Sequence, residues 1–106
     1  MPADENDQRY TVRLPDDFWE VMGRLADGHV NKVMEFLRDH VQVCPRDRCA
    51  GLKELRGEWR GHYQYDVSKS LGTRLIYTVD VAARTVDVVY FGSHPSWSRA
   101  KDRQNL

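Results

Sequence analysis

Apolar and polar positions alternate along three consecutive stretches in the second half of the chain: HYQYDV (His62–Val67), RLIYTVD (Arg74–Asp80) and TVDVVYFG (Thr85–Gly92). Each is dense in Val, Ile, Tyr and Phe, which suit a pleated, half-buried surface, and the pattern predicts three strands. The polar links SKSLGT and DVAAR are short enough to join them as antiparallel hairpins. Successive side chains of a strand point to opposite faces, so parity sorts them. One set is Tyr63, Tyr65, Val67, Leu75, Tyr77, Val79, Val89 and Phe91, apolar enough to pack on helices. The other is His62, Gln64, Asp66, Arg74, Ile76, Tyr90 and, if register holds to the strand end, His94. That second face gathers an amide, a carboxylate, a guanidinium, a phenol and an imidazole, and is where chemistry is expected.

The first half reads differently. RYTVRL (Arg9–Leu14) alternates as a first strand with Tyr10, Val12 and Leu14 on one side, and Pro15 ends it. Pro15, Asp16 and Asp17 then open a helix whose stripe is Phe18, Val21, Met22 and Leu25, with Asp27–Gly28 as its stop. A second helix is predicted from about Val30 to Val41, on Val30, Val33, Met34, Leu37 and Val41. Two helices joined by a glycine-containing turn make a hairpin with one buried side. Cys44–Gly61 is irregular and basic, with Arg46, Arg48, Lys53, Arg56 and Arg60 against Asp47, Glu54 and Glu58. The predicted fold is α+β, in the order β-α-α-β-β-β: an antiparallel sheet, its first strand along one edge or beside the last, with the helical hairpin packed on one face.

Composition narrows the class. At 106 residues, 41% hydrophobic and 30% charged, the chain is one soluble globular domain able to bury a core without staples. The expected division is an acidic, disordered tail at 1–8, a domain over 9–98 and a polar tail at 99–106. No apolar run approaches a membrane span and no basic-then-apolar leader opens the chain, so a cytoplasmic protein with no membrane partner is expected. Net charge is zero but uneven: residues 1–43 hold five Lys/Arg against nine Asp/Glu, a balance of −4, and residues 44–106 hold eleven against seven, a balance of +4. An acidic front and a basic back permit a phosphate-binding surface. Cys44 and Cys49 read as free thiols, with a redox-sensitive disulfide as the alternative; a zinc set of these two with His40 and His62 matches no ligand spacing. No cofactor or metal is expected.

The order of elements, together with LRG (Leu55–Gly57), WRGHY (Trp59–Tyr63), RLIYTVD and FGSH (Phe91–His94), resembles the RelE/ParE superfamily of toxins from type II toxin-antitoxin systems. The resemblance extends in architecture from Tyr10 to about Trp97, and its motifs lie between Leu55 and His94. It implies a RelE-like fold and a ribosome-dependent mRNA endoribonuclease (mRNA interferase), metal-independent, working in the ribosomal A site and held by a cognate antitoxin. In that chemistry a ribose 2′-OH attacks the adjacent phosphate, which requires a base, a cation for the growing charge and an acid for the departing 5′-oxygen. By motif, Arg74 is the cation and His94 the acid or base, with Glu54 or Lys53 assisting. Trp97 falls where the family carries a base-stacking aromatic, and Arg56, Arg60, Tyr90 and Gln64 are the remaining candidates for RNA binding.

The departures define the alternatives. Second-strand lysines of RelE correspond to Gln64 and Asp66, and the arginine that the YafQ pattern has near the last strand's glycine corresponds to Tyr90. Arg74 could also pair with Asp66 across the hairpin. A ParE-like toxin that inhibits DNA gyrase by binding shares the scaffold, as does an inactive relative serving as an interaction module. Trp59, Tyr63, Tyr65 and Tyr77 are assigned to packing, and His29 and His40 to the surface.

Overall fold

The computed structural model describes residues 9–49 and 51–93. The elements run β1 (Thr11–Arg13), α1 (Phe18–Met22), α2 (Asp27–Phe36), a π-turn (Leu37–Val41), β2 (Leu52–Glu54), a 3₁₀ turn (Gly57–Trp59), β3 (His62–Ser68), β4 (Thr73–Asp80) and β5 (Thr85–Gly92). They form one five-stranded sheet in the order β1-β5-β4-β3-β2. The three hairpin strands lie where their alternation predicts them. Strand β1 lies on the edge beside β5, as expected. Two features correct the expected topology: β2 is an additional strand, antiparallel to β3, and β1 runs parallel to β5, so the sheet is mixed.

The helices cover one face. Phe18, Val21 and Met22 of α1 and Val33 and Phe36 of α2 are buried with Leu37, Val41, Tyr65, Val67, Leu75, Tyr77, Val86, Val88 and Phe91. Phe36 lies flat on Tyr65, ring centroids 3.6 Å apart, and Phe18 stacks on Phe91 at 4.9 Å. Asp27–Gly28 starts the second helix instead of stopping the first: α1 ends at Gly23, and Asp27 is the acidic residue of the first turn of α2, where the helix dipole favours it. Across the π-turn the amide of Gln42 reaches the carbonyl of Leu37. Met34, predicted in the stripe, is 40% exposed, and Phe36 is buried in its place.

Parity fails at one point on β5. The register shifts where Ile76 faces Tyr90 but Tyr77 faces Val88, leaving Val89 as the unpaired residue of a bulge. Val89, expected in the core, is therefore 44% exposed, and Val86 and Val88 are buried instead. His40 departs from a surface role as well: it is half-buried and stacked on Phe36, centroids 5.1 Å apart.

Tyr77 ties the sheet to the loop after the helices. It is fully buried, and its hydroxyl donates to the carbonyl of Pro45 at 2.6 Å. Burial pushes this phenol and that of Tyr65 up, and pushes the thiols of Cys44 and Cys49 up as well, with Asp47 adding to the effect on Cys44. All four are groups held neutral by the fold, so the unfolded chain loses these protons first as pH rises. Their contribution is complete below the ordinary thiol value of 9.0 and is lost as pH climbs through the raised values. The thermal midpoint should be level from pH 7 to about 8.5 and fall above about 9. In the Cys44→Ser/Cys49→Ser variant the onset should move toward the tyrosine range. Circular dichroism melts across pH check this; an onset unmoved by the double substitution contradicts it.

Candidate functional site

On the face away from the helices the strands align candidate residues in rows. Lys53 of β2 pairs with Gln64 of β3, which pairs with Ile76 of β4, which pairs with Tyr90 of β5. The neighbouring row is Asp66, Arg74 and Gly92. Residues opposite one another in a ladder project to the same side, so Lys53, Gln64, Asp66, Arg74 and Tyr90 share this face.

Arg74 and Asp66 form an ion pair, Nε to Oδ1 at 3.5 Å, with side chains 28% and 13% exposed. Gln64 donates from Nε2 to the same Asp66 oxygen at 3.1 Å. One carboxylate oxygen thus faces both a guanidinium and an amide. The floor beside it is apolar: Ile76 is fully buried against Trp59, with Leu55 and Tyr90 packed around them. Gly57 and Gly61, at φ +67° and +91°, bracket the turn that inserts Trp59, a backbone region that favours glycine. The Leu55–Gly57 motif serves this second, smaller core.

Tyr90 closes the end of β5. Its hydroxyl donates to the carbonyl of Ser93 at 2.5 Å, and its ring lies over Gly92, where an added Cβ would stand 2.9 Å from the phenol oxygen. Gly92→Ala should therefore displace the Tyr90 ring, break that hydrogen bond and lower stability by about 1–2 kcal/mol. Urea denaturation measures it; a change below about 0.3 kcal/mol would mean that the ring has room to spare.

Other candidates go elsewhere. Glu54 pairs with Tyr63, and both project to the opposite side of the sheet from Arg74. With Arg56 and Arg60 it lines an open cleft of about 740 Å³ at the β2 edge, which also includes Arg46, Arg48, Leu52, Lys53 and Tyr63. Lys53 alone belongs both to this cleft and to a row on the Arg74 face. Tyr63 lies close enough to hold the Arg46 guanidinium above its ordinary value. Single-residue reading missed Arg46, Arg48 and Tyr63 as candidates, although the basic bias of the 44–61 segment was its signal. His94 and Trp97 lie outside the described residues.

The zinc set does not assemble. Cys44 Sγ faces His40 Nδ1 at 3.8 Å, whereas His62 Nδ1 meets the carbonyl of Trp59 at 3.1 Å. Among the described residues no three His, Cys, Asp or Glu side chains converge on a possible ion, and no helix is long and apolar enough to cross a membrane.

No family model and no curated protein matches the sequence. Solved structures do match. The YoeB/ParE toxin from Agrobacterium tumefaciens superposes with a TM-score of 0.65 at 16% identity, over 79% of this chain and 98% of the other. A variant of the E. coli toxin RelE in the free state gives 0.64 at 23% identity, over 90% and 97%.

The chain has the RelE-like toxin fold.

The toxin-antitoxin complex RelBE2 from Mycobacterium tuberculosis also superposes, with a TM-score of 0.61 at 23% identity, over 81% of this chain and 99% of the matched one. In RelE-like terms, the Arg74 face is the side of the sheet that the helices leave uncovered.

Proposed function

We propose that the protein is the toxin of a type II toxin-antitoxin pair, a cytoplasmic, ribosome-dependent endoribonuclease that cuts mRNA. The observation that carries this reading is Arg74 on the uncovered sheet face, paired with an Asp66 that Gln64 also hydrogen-bonds, and opposite Gly92, the last residue of β5, from which the sequence leads to His94. In the reaction, a base takes the proton of the 2′-OH, O2′ bonds to phosphorus, the bond from phosphorus to O5′ breaks, and an acid protonates O5′. The products are a 2′,3′-cyclic phosphate and a 5′-hydroxyl. Arg74 neutralises the non-bridging oxygens, on which charge grows, with a planar fork suited to phosphate. His94 exchanges a proton near neutral pH. Lys53, which shares the Arg74 face, is better placed than Glu54 to assist. Trp97 supplies a stacking surface for a base. No metal is needed in this scheme.

The silencing partner is a cognate antitoxin. Leu14, Trp19 and Met34 are exposed beside Val12, Phe18 and Leu37, around an apolar groove of about 370 Å³ that suits an apolar antitoxin segment laid across the helices.

Asp66 favours a second reading. A carboxylate in the row of the phosphate-binding arginine opposes an incoming phosphate, and this fits a ParE-like toxin that binds DNA gyrase without cutting RNA. Cell-free translation with purified protein and a defined mRNA separates the two, with transcript 5′ ends mapped with and without ribosomes. New 5′ ends only on ribosomes support the nuclease. Intact transcripts at high protein concentration, with gyrase supercoiling inhibited in a parallel assay, overturn it.

A further inference from the structure

The cleft at the β2 edge is a concentration of charge that the Arg74 face does not use. Five cationic side chains, Arg46, Arg48, Lys53, Arg56 and Arg60, line it against one carboxylate, Glu54. All five are exposed, and among the described residues none forms an ion pair within 4.0 Å, the pairs present being Arg13–Asp87, Arg38–Asp39 and Arg74–Asp66. Like charges crowded on a concave wall raise the local potential and draw anions in. The placement is built by the fold. Tyr77 fixes Pro45 from below, which sets Arg46 against Tyr63, while the glycine-bracketed turn at Trp59 carries Arg56 and Arg60 to the other bank.

We propose that this cleft is a second nucleic-acid site, which binds the phosphate backbone of an RNA strand through Arg46, Arg48, Arg56 and Arg60 and passes that strand over Lys53 onto the Arg74 face. The choice of RNA rests on the reading of the protein as an RNA-cutting toxin; the anion site itself rests on the charge and shape of the cleft. Arginine forks match phosphate oxygens bidentately. Lys53 lies at the junction, in the cleft and also in register with Gln64, so cleft and face form one track around β2. An acidic protein segment pairing with the β2 edge is the rival occupant.

The test is fluorescence anisotropy of the full-length protein with a 2′-O-methylated oligoribonucleotide, which cannot be cleaved, between 50 and 300 mM KCl. Each phosphate contact on a single strand contributes a slope of about −0.7 in log K against log salt. Arg46→Gln/Arg48→Gln should reduce the slope by about 1.4 and weaken binding by at least about tenfold at 50 mM KCl. Arg48→Gln/Arg60→Gln, which keeps the Arg46–Tyr63 contact, should do the same. The proposal is overturned by undetectable wild-type binding at 50 mM KCl, or by slopes unchanged in both variants. It is also overturned by a glutamate-rich peptide that binds more tightly than the RNA and loses affinity in the same variants. Transcript cleavage is scored separately: slopes that change while ribosome-bound transcripts stay intact remove the nuclease reading and leave the RNA site standing.

Discussion

Arg74→Ala should lower ribosome-dependent transcript cleavage by about 10²–10³-fold, the usual loss when one preorganised donor to a developing oxyanion is removed. The fall should appear in the single-turnover rate on saturated ribosomes, because the guanidinium is assigned to charge that grows in the transition state. Arg74→Lys should recover only part of the rate, since an ammonium restores the charge without the planar fork. His94→Ala should be comparably slow if it supplies the proton. The competing role for Arg74 is structural, as partner of Asp66, which is only 13% exposed. In that case Arg74→Ala lowers stability, because a largely buried carboxylate loses its cation, and leaves growth arrest intact. Growth arrest that survives both Arg74→Ala and His94→Ala makes the catalytic assignment wrong.

Phe18→Ala should remove about 3–5 kcal/mol of the roughly 5–15 kcal/mol that a domain of this size holds. Phe18 is fully buried, stacks on Phe91 and meets Trp19 edge-on with ring centroids 4.9 Å apart. It is the main anchor of the five-residue α1, which is too short to be stable in isolation. Truncation would therefore leave a cavity and release the helix that walls one side of the apolar groove. Phe18→Leu should lose much less, because much of the volume is kept. Urea midpoints with an unchanged m-value are the measurement, and a loss below about 1 kcal/mol for Phe18→Ala would contradict this packing.

The strands that build the Arg74 face could be read from the sequence because alternation and turn residues agree there. Asp66 and Arg74 fall on one face by parity alone, and the structure joins them. Strand β2 left no such trace: Leu52, Lys53 and Glu54 are too few to alternate, and only Leu52 is even half-buried. Val89 was misplaced because a bulge adds a residue without any change in composition. Asp27–Gly28 misled because the pair serves as well to open a helix as to close one. The basic cleft was visible as a charge bias between residues 44 and 61 but not as a shape. Its shape depends on tertiary contacts such as that of Tyr77 with Pro45, 32 positions apart in the chain.

The parallel pairing of β1 with β5 sets an order of events in folding. Thr11 lies opposite Thr85, 74 positions later, so the first strand has no partner until the last has been synthesised. Hairpins β3–β4 and β4–β5 can zip locally, whereas β1 must close a loop spanning most of the chain, a late and entropically costly step. During synthesis β1 and the helices leave the ribosome well before β5 does, so the closure of β1 on β5 awaits emergence of that later strand. A nascent chain stalled before Thr85 would present α1 with Phe18 uncovered, and would be a substrate for chaperones and proteases before it could act as a toxin.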